Sequence, residues 1–175
     1  MRVTLIFAEP ENSDKKVDLL KNKHEELIFI NNIQTKALIT DQEIISAFPI
    51  MQQLRQHLDQ QTYLELVKEA QEKDRYYLFA LINGEEVLSV VGFKPMTTLY
   101  YGRFIWVCDL ITDQVHRSKG YGERLLQFVH QWAKDNHYQS VALSSGLQRT
   151  DAHRFYEEKM DYDKVSYVFR KTGIC

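Results

Sequence analysis

Two β-rich runs, RYYLFALI (residues 75–82) and EEVLSVVGF (85–93), are separated by Asn83-Gly84. Asparagine and glycine enter the left-handed backbone region cheaply, and a two-residue turn with positive φ twists in the same sense as the strands it joins. The pair predicts an antiparallel hairpin in the middle of the chain, and any fold must be built around it. A third strand is predicted at Phe104–Thr112, after a turn near Tyr101-Gly102.

On either side of this hairpin the pattern is different. Thr40-Asp-Gln-Glu43 is a capping box and starts a helix. That helix carries Ile44, Ile45, Phe48, Met51 and Leu54 at helical spacing, and Pro49 kinks or restarts it. Thr62-Tyr-Leu-Glu65 repeats the capping pattern and opens a second helix to about Lys73. Residues 1 to about 39 read as two short strands, VTLIF and LIFINNI, around a charged stretch. After the third strand comes an amphipathic helix over 123–135. Leu125, Leu126, Val129, Trp132 and Ala133 lie on one side of it, and Asn136 stands at a left-handed cap. QSVALSS is a short buried strand, TDAHRFYEEKM a helix, and KVSYVFRK a closing strand. Helix, helix, three antiparallel strands, helix, strand, helix, strand is an α/β order of mixed layers.

Length and charge narrow the function. A chain of 175 residues with 44% hydrophobic and 26% charged residues suits one ordinary core. A formal net charge of −2 argues against binding nucleic acid through a broad basic surface. Cys108, in an apolar run, and Cys175, at the end, make no disulfide framework. No apolar stretch approaches the ~18 residues of a membrane span. The N-terminus turns acidic too early for a signal peptide, so the expected location is cytoplasmic.

His116-Arg-Ser-Lys-Gly-Tyr-Gly122 lies between the third strand and the helix after it. Helix N-terminal amides lack intrahelical partners and carry the positive end of the dipole, which suits phosphate. The spacing is not that of a P-loop, and Leu125 occupies the third glycine position of a Rossmann loop. From the residues alone the segment reads as a phosphate cradle or as a tight turn with Arg117 and Lys119 solvated.

DLITDQVHRSKGYGERLL (Asp109–Leu126) resembles motif A of the GNAT superfamily of N-acetyltransferases. Arg117, Gly120 and Gly122 stand at its three defining positions. SSGLQRTDAHRFYEEKMDY (Ser144–Tyr162) resembles the family's motif B, and VVGF (90–93) its third strand. The resemblance spans about Leu38 to Lys171 and implies one acetyltransferase domain, with residues 1–38 an extension outside it. It implies a mostly antiparallel twisted sheet, splayed at the cofactor site, with helices on both faces. Arg149 stands where many members have Asn, and Asp161-Tyr162 replaces the usual Gly-Phe.

The resemblance implies acetyl-coenzyme A as co-substrate; no His, Cys and carboxylate cluster has metal-ligand spacing, so no metal is expected. The amides of Arg117, Ser118, Lys119, Gly120, Tyr121 and Gly122 would cradle its pyrophosphate. The pantetheine arm would pair along Leu110, Ile111 and Thr112, and a bulge amide would polarise the thioester carbonyl. A primary amine of a small molecule or peptide would attack directly in a ternary complex. Tyr156 aligns with the family's general acid; by spacing alone, with Ala152 and Met160, it reads as a core aromatic. Asp109 interrupts an apolar strand at the catalytic level and is the candidate base or water-holder, or else a structural carboxylate. His116, His130 and His153 read as surface or helix-facing side chains, and neither cysteine has a partner for covalent acyl transfer. Acceptor specificity is expected from the first two helices and a loop from Lys94 to Arg103. A homodimer is compatible with the resemblance, while nucleic acid and membrane are not expected partners. Two readings stay open beside the enzyme: a non-catalytic acyl-coenzyme A-binding regulatory module, and an interaction domain whose glycine loop is structural.

Overall fold

The computed structural model describes residues 32–174; the strand proposed at VTLIF, and LIFINNI (27–33) except its last two residues, fall outside that range. From Gln34 onward the chain forms one compact unit. Its core is a five-stranded sheet in chain order: β1 (Ile33–Ala37), β2 (Tyr77–Asn83), β3 (Glu86–Thr98), β4 (Gly102–Thr112) and β5 (Val141–Leu143). β2, β3 and β4 are antiparallel neighbours, and β5 joins β4 in parallel after a helical crossover. The predicted hairpin forms, one residue displaced. Asn83 pairs with Glu86, so the loop is Gly84-Glu85 with φ +60° at Gly84. Positive φ at the first loop position alone is the type II′ pattern, which needs only the glycine.

Three helices cover one face: α1 (Asp41–Ser46), α2 (Phe48–Leu54) and α3 (Gln60–Asp74). The capping box closes as predicted. Thr40 Oγ1 accepts from the Glu43 amide at 3.3 Å, and Glu43 Oε2 accepts from the Thr40 amide at 3.0 Å. Pro49 sits in the first turn of α2, where no amide donor is needed, so the helix restarts instead of kinking. α3 begins two residues before Thr62: the Asp59 carboxylate is the cap and accepts from the Thr62 amide at 2.8 Å. Ile44, Ile50, Met51, Tyr63 and Val67 pack here on Leu78, Ala80, Val90 and Ile111 of the sheet.

The opposite face is covered by α4 (Tyr121–Asp135), whose Leu125, Leu126, Val129 and Ala133 are buried. Phe128 lies 4.7 Å from Phe79 and Trp132 5.1 Å from Phe93, ring centre to ring centre. The left-handed residue after α4 is His137, φ +61°, and not Asn136. α5 (Thr150–Arg154) continues into a π-helical turn, Phe155–Lys159.

Two expectations fail. The stretch from Lys94 to Arg103 is not a loop; β3 and β4 run through it as a long hairpin, with Thr97 opposite Arg103. Lys164–Lys171 does not form a closing strand, and residues 163–174 are exposed. Alternation of Val165, Tyr167 and Phe169 favours extended backbone, but a strand also needs an edge to pair with, and this segment meets none. Among the described residues no helix is long and apolar enough to cross a membrane.

Candidate functional site

The end of β4 and the start of α4 are joined by a short 3₁₀ turn (Gln114–His116) and the segment Arg117 to Gly120. Asp113 caps the turn, its carboxylate accepting from the Val115 amide at 3.0 Å. Gly120 is the residue before α4 and has φ +81°, which a side chain would strain. It offers no capping side chain, so the first-turn amides of α4 keep their donor capacity. A Cβ built on Gly120 would meet nothing within 4 Å, whereas one on Gly122 would make ordinary contact, 3.4 Å, with Thr112 Oγ1. Arg117 and Lys119 are exposed beside these amides. His116 Nε2 lies 2.9 Å from Glu86 Oε1. The loop is an uncapped, glycine-flanked helix start with two cations around it.

β4 parts from β5 close by. Their pairing covers only Ile105–Val141, Trp106–Ala142 and Val107–Leu143. From Cys108 to Thr112, β4 keeps β3 on one side and, among the described residues, has no strand on the other. In β3–β4 the register passes from Phe93–Val107 to Gly92–Asp109, so Cys108 is an extra residue, a bulge, where the sheet divides. The unpaired stretch contains Leu110, Ile111 and Thr112, and Gly122 meets it at Thr112. The candidate anion loop and the candidate strand edge are therefore continuous.

Asp109, next to the bulge, is held on both carboxylate oxygens. Arg55, the residue ending α2, donates to Oδ1 from Nε at 2.9 Å, with Nη2 2.7 Å away, and Nη2 also donates to the Cys108 carbonyl at 3.0 Å. The Tyr76 hydroxyl donates to Oδ2 at 2.9 Å. Burial, and then the charge of Asp109, raise the pKa of the Tyr76 phenol well above its ordinary value, so it stays a donor. Burial first and Asp109 second push the Cys108 thiol up to about 11. A thiol so placed is not a thiolate at neutral pH, which removes the nucleophile that covalent acyl transfer needs.

Tyr156 lies in the π-helical turn that follows β5 and α5. Its ring is 5.3 Å from Phe155 and 5.9 Å from Tyr162. Burial raises the pKa of its phenol, opposed by the positive charge of Arg149. Among the described residues nothing is hydrogen-bonded to its hydroxyl. Tyr162 ties this turn to α4: its Oη is 2.8 Å from His130 Nε2. Burial raises the Tyr162 phenol and lowers the His130 imidazole, so the phenol donates to a neutral ring. His153 Nε2 meets the Gly146 carbonyl at 2.9 Å, a local tie in the segment leading into α5. Ser145 Oγ, just past β5, is buried with no hydrogen-bond partner among the described residues.

Sequence reasoning did not find Arg55, Tyr76, Gly92 or Ser145. A carboxylate in an apolar strand does announce a partner, but not which cation, fifty-four residues away in sequence. Among the described residues no group of His, Cys, Asp and Glu could hold a metal ion.

Residues 42–162 match the acetyltransferase (GNAT) family. YhdJ of Bacillus subtilis (strain 168), described as an uncharacterized N-acetyltransferase, is 42% identical over 139 residues, 79% of this chain and 98% of that protein. The aminoglycoside N-acetyltransferase AAC(6')-Iy in complex with CoA superimposes with a TM-score of 0.70 at 11% identity, over 82% of this chain and 97% of that one. A transcriptional regulator from Bacillus halodurans C-125 gives 0.69 at 20%, over 81% and 99%. At these identities the two structures share the fold, and their different roles show that the fold alone does not assign one.

Proposed function

The chain belongs to the acetyltransferase (GNAT) family, and from that premise we propose that it moves an acetyl group from acetyl-coenzyme A to a primary amine of a small molecule or peptide. The observation that carries the reading is the parting of β4 from β5 at Val107 and Leu143, which leaves a strand edge running to the glycine loop. Two features suit a nucleotide-bearing thioester: the uncapped amides at α4 and the open space at Gly120. Bound acetyl-coenzyme A would supply an acyl group already activated as a thioester.

The remaining work falls to the chain. Amides from Arg117 to Gly122 bind phosphate oxygens, with Arg117 and Lys119 adding charge. The side of β4 that faces away from β3 between Leu110 and Thr112 binds an amide-bearing arm as a further strand would. Backbone N–H groups at the bulge are fixed dipoles that favour negative charge on a carbonyl oxygen. Tyr156, kept protonated by burial, holds the proton that a thiolate leaving group needs.

Titration calorimetry with acetyl-coenzyme A tests binding, and turnover with a panel of amines tests transfer. Aminoglycosides head the panel because the CoA-bound relative is named for them. Gly122→Val is the control variant. Its Cβ has room beside Thr112, so the protein should fold while the side chain obstructs the phosphate approach. Affinity should fall by tenfold or more, about 1.4 kcal/mol. Equal binding by the folded variant would refute the loop assignment. Tight binding without turnover on any amine would favour the regulatory module.

A further inference from the structure

Resting on the acetyl-transfer reading, we infer that Arg55, Asp109 and Tyr76 are positioning residues that pin the β4 bulge, and that Asp109 does not take the proton from the acceptor amine. Cys108 has no residue opposite it on β3 and follows the last rung to β5, so the sheet itself holds it weakly. Arg55 compensates by bonding the Cys108 carbonyl and the next residue's carboxylate with one guanidinium. Such a planar fork fixes orientation as well as distance. Tyr76 takes the other carboxylate oxygen from across the sheet.

Gly92 makes that reach possible. It lies opposite Asp109, and a Cβ there would sit on the Tyr76 hydroxyl. Three elements thus converge on one carboxylate: the end of α2, the entry to β2, and β4. The Asp109 side chain is 15% exposed. A proton delivered to it would face the guanidinium at 2.7 Å and cost the ion pair that holds the bulge. Carboxylate and guanidinium therefore act as a clamp on the backbone that follows, Leu110 to Thr112.

Four variants test this: Arg55→Gln, Arg55→Lys, Asp109→Asn and Tyr76→Phe. A displacement of the order of 1 Å at a reacting centre costs about 10²-fold. Arg55→Gln and Asp109→Asn should each lower kcat about 10- to 100-fold and weaken acetyl-coenzyme A binding by a smaller factor. Because a broken clamp cannot be broken twice, the double variant should be no slower than the slower single one. Arg55→Lys should restore part of the rate, and Tyr76→Phe should lose less than Asp109→Asn. The pH–rate midpoint should be the same in Asp109→Asn and wild type.

Amide hydrogen exchange supplies a readout independent of turnover. Arg55→Gln should speed exchange in residues 107–112 and leave α4 unchanged. If wild type acetylates no amine, the enzyme reading fails, and exchange alone decides whether the clamp exists. Unchanged exchange in 107–112 would overturn the inference. So would an Asp109→Asn protein that loses the pH dependence while Arg55→Gln keeps wild-type kcat.

Discussion

At Gly92 a hydrogen atom stands where every other residue would put a carbon on top of the Tyr76 hydroxyl. Gly92→Ala must push a buried ring aside, and overpacking of this kind costs about 1–3 kcal/mol. Thermal denaturation should show that loss, and Tyr76→Phe in the same background should recover only part of it, because the added carbon meets ring carbons of Tyr76 as well as the hydroxyl. Tyr156 is the opposite case, a hydroxyl with no partner among the described residues. Tyr156→Phe keeps the ring packing against Phe155 and Tyr162. If the phenol protonates the leaving thiolate, kcat should drop roughly 10²-fold, with acetyl-coenzyme A affinity nearly unchanged. Unchanged kcat with chemistry rate-limiting would end that role. Asp109 was visible in the sequence as a carboxylate interrupting an apolar strand, and Tyr156 only through its place in the family motif. Arg55 was not, because nothing local in Met51-Gln-Gln-Leu-Arg55 distinguishes a clamp from a solvated cation.

Elements were most legible where their causes are local. The α1 capping box is one such cause, and it has a pH signature. Glu43 is held at about 2, below the ordinary 4.5, mainly by the Thr40 amide and then by Lys36. A carboxylate with a lowered folded pKa contributes stability that is complete above its unfolded value and is lost as pH falls through the folded one. Glutamine can also cap, so the stability gap between wild type and Glu43→Gln isolates the charge. That gap, from urea melts, should be constant above about pH 5 and should close between 4.5 and about 2. A gap that persists below that range would assign it to packing. The hairpin was legible for the same local reason, although the turn moved to Gly84-Glu85 because a single glycine suffices. Non-local pairings were hidden. No pattern in Val141–Leu143 announces three parallel rungs, and the regular alternation after Lys164 does not make a strand without an edge.

In the whole molecule, the family match covers residues 42–162, and the Bacillus subtilis relative fits nearly its full length into 79% of the chain. Deleting residues 1–25 should therefore leave acetyl-coenzyme A affinity within about threefold by calorimetry, since every proposed contact lies beyond β1. A folded truncation unable to bind would show that the deleted segment completes the site. The order of the sheet has a further consequence, for time instead of geometry. β2, β3 and β4 are sequential neighbours that short turns can close early in folding, whereas β5 waits for α4 to cross over and then gains three rungs. The seam that closes last is also short, and short seams open first under thermal agitation. A ligand lodged there bridges both sides and adds its own binding free energy, about 2.7 kcal/mol at a hundredfold excess over Kd. Under the proposed function, the lifetime of the folded enzyme would rise and fall with the supply of its acyl donor.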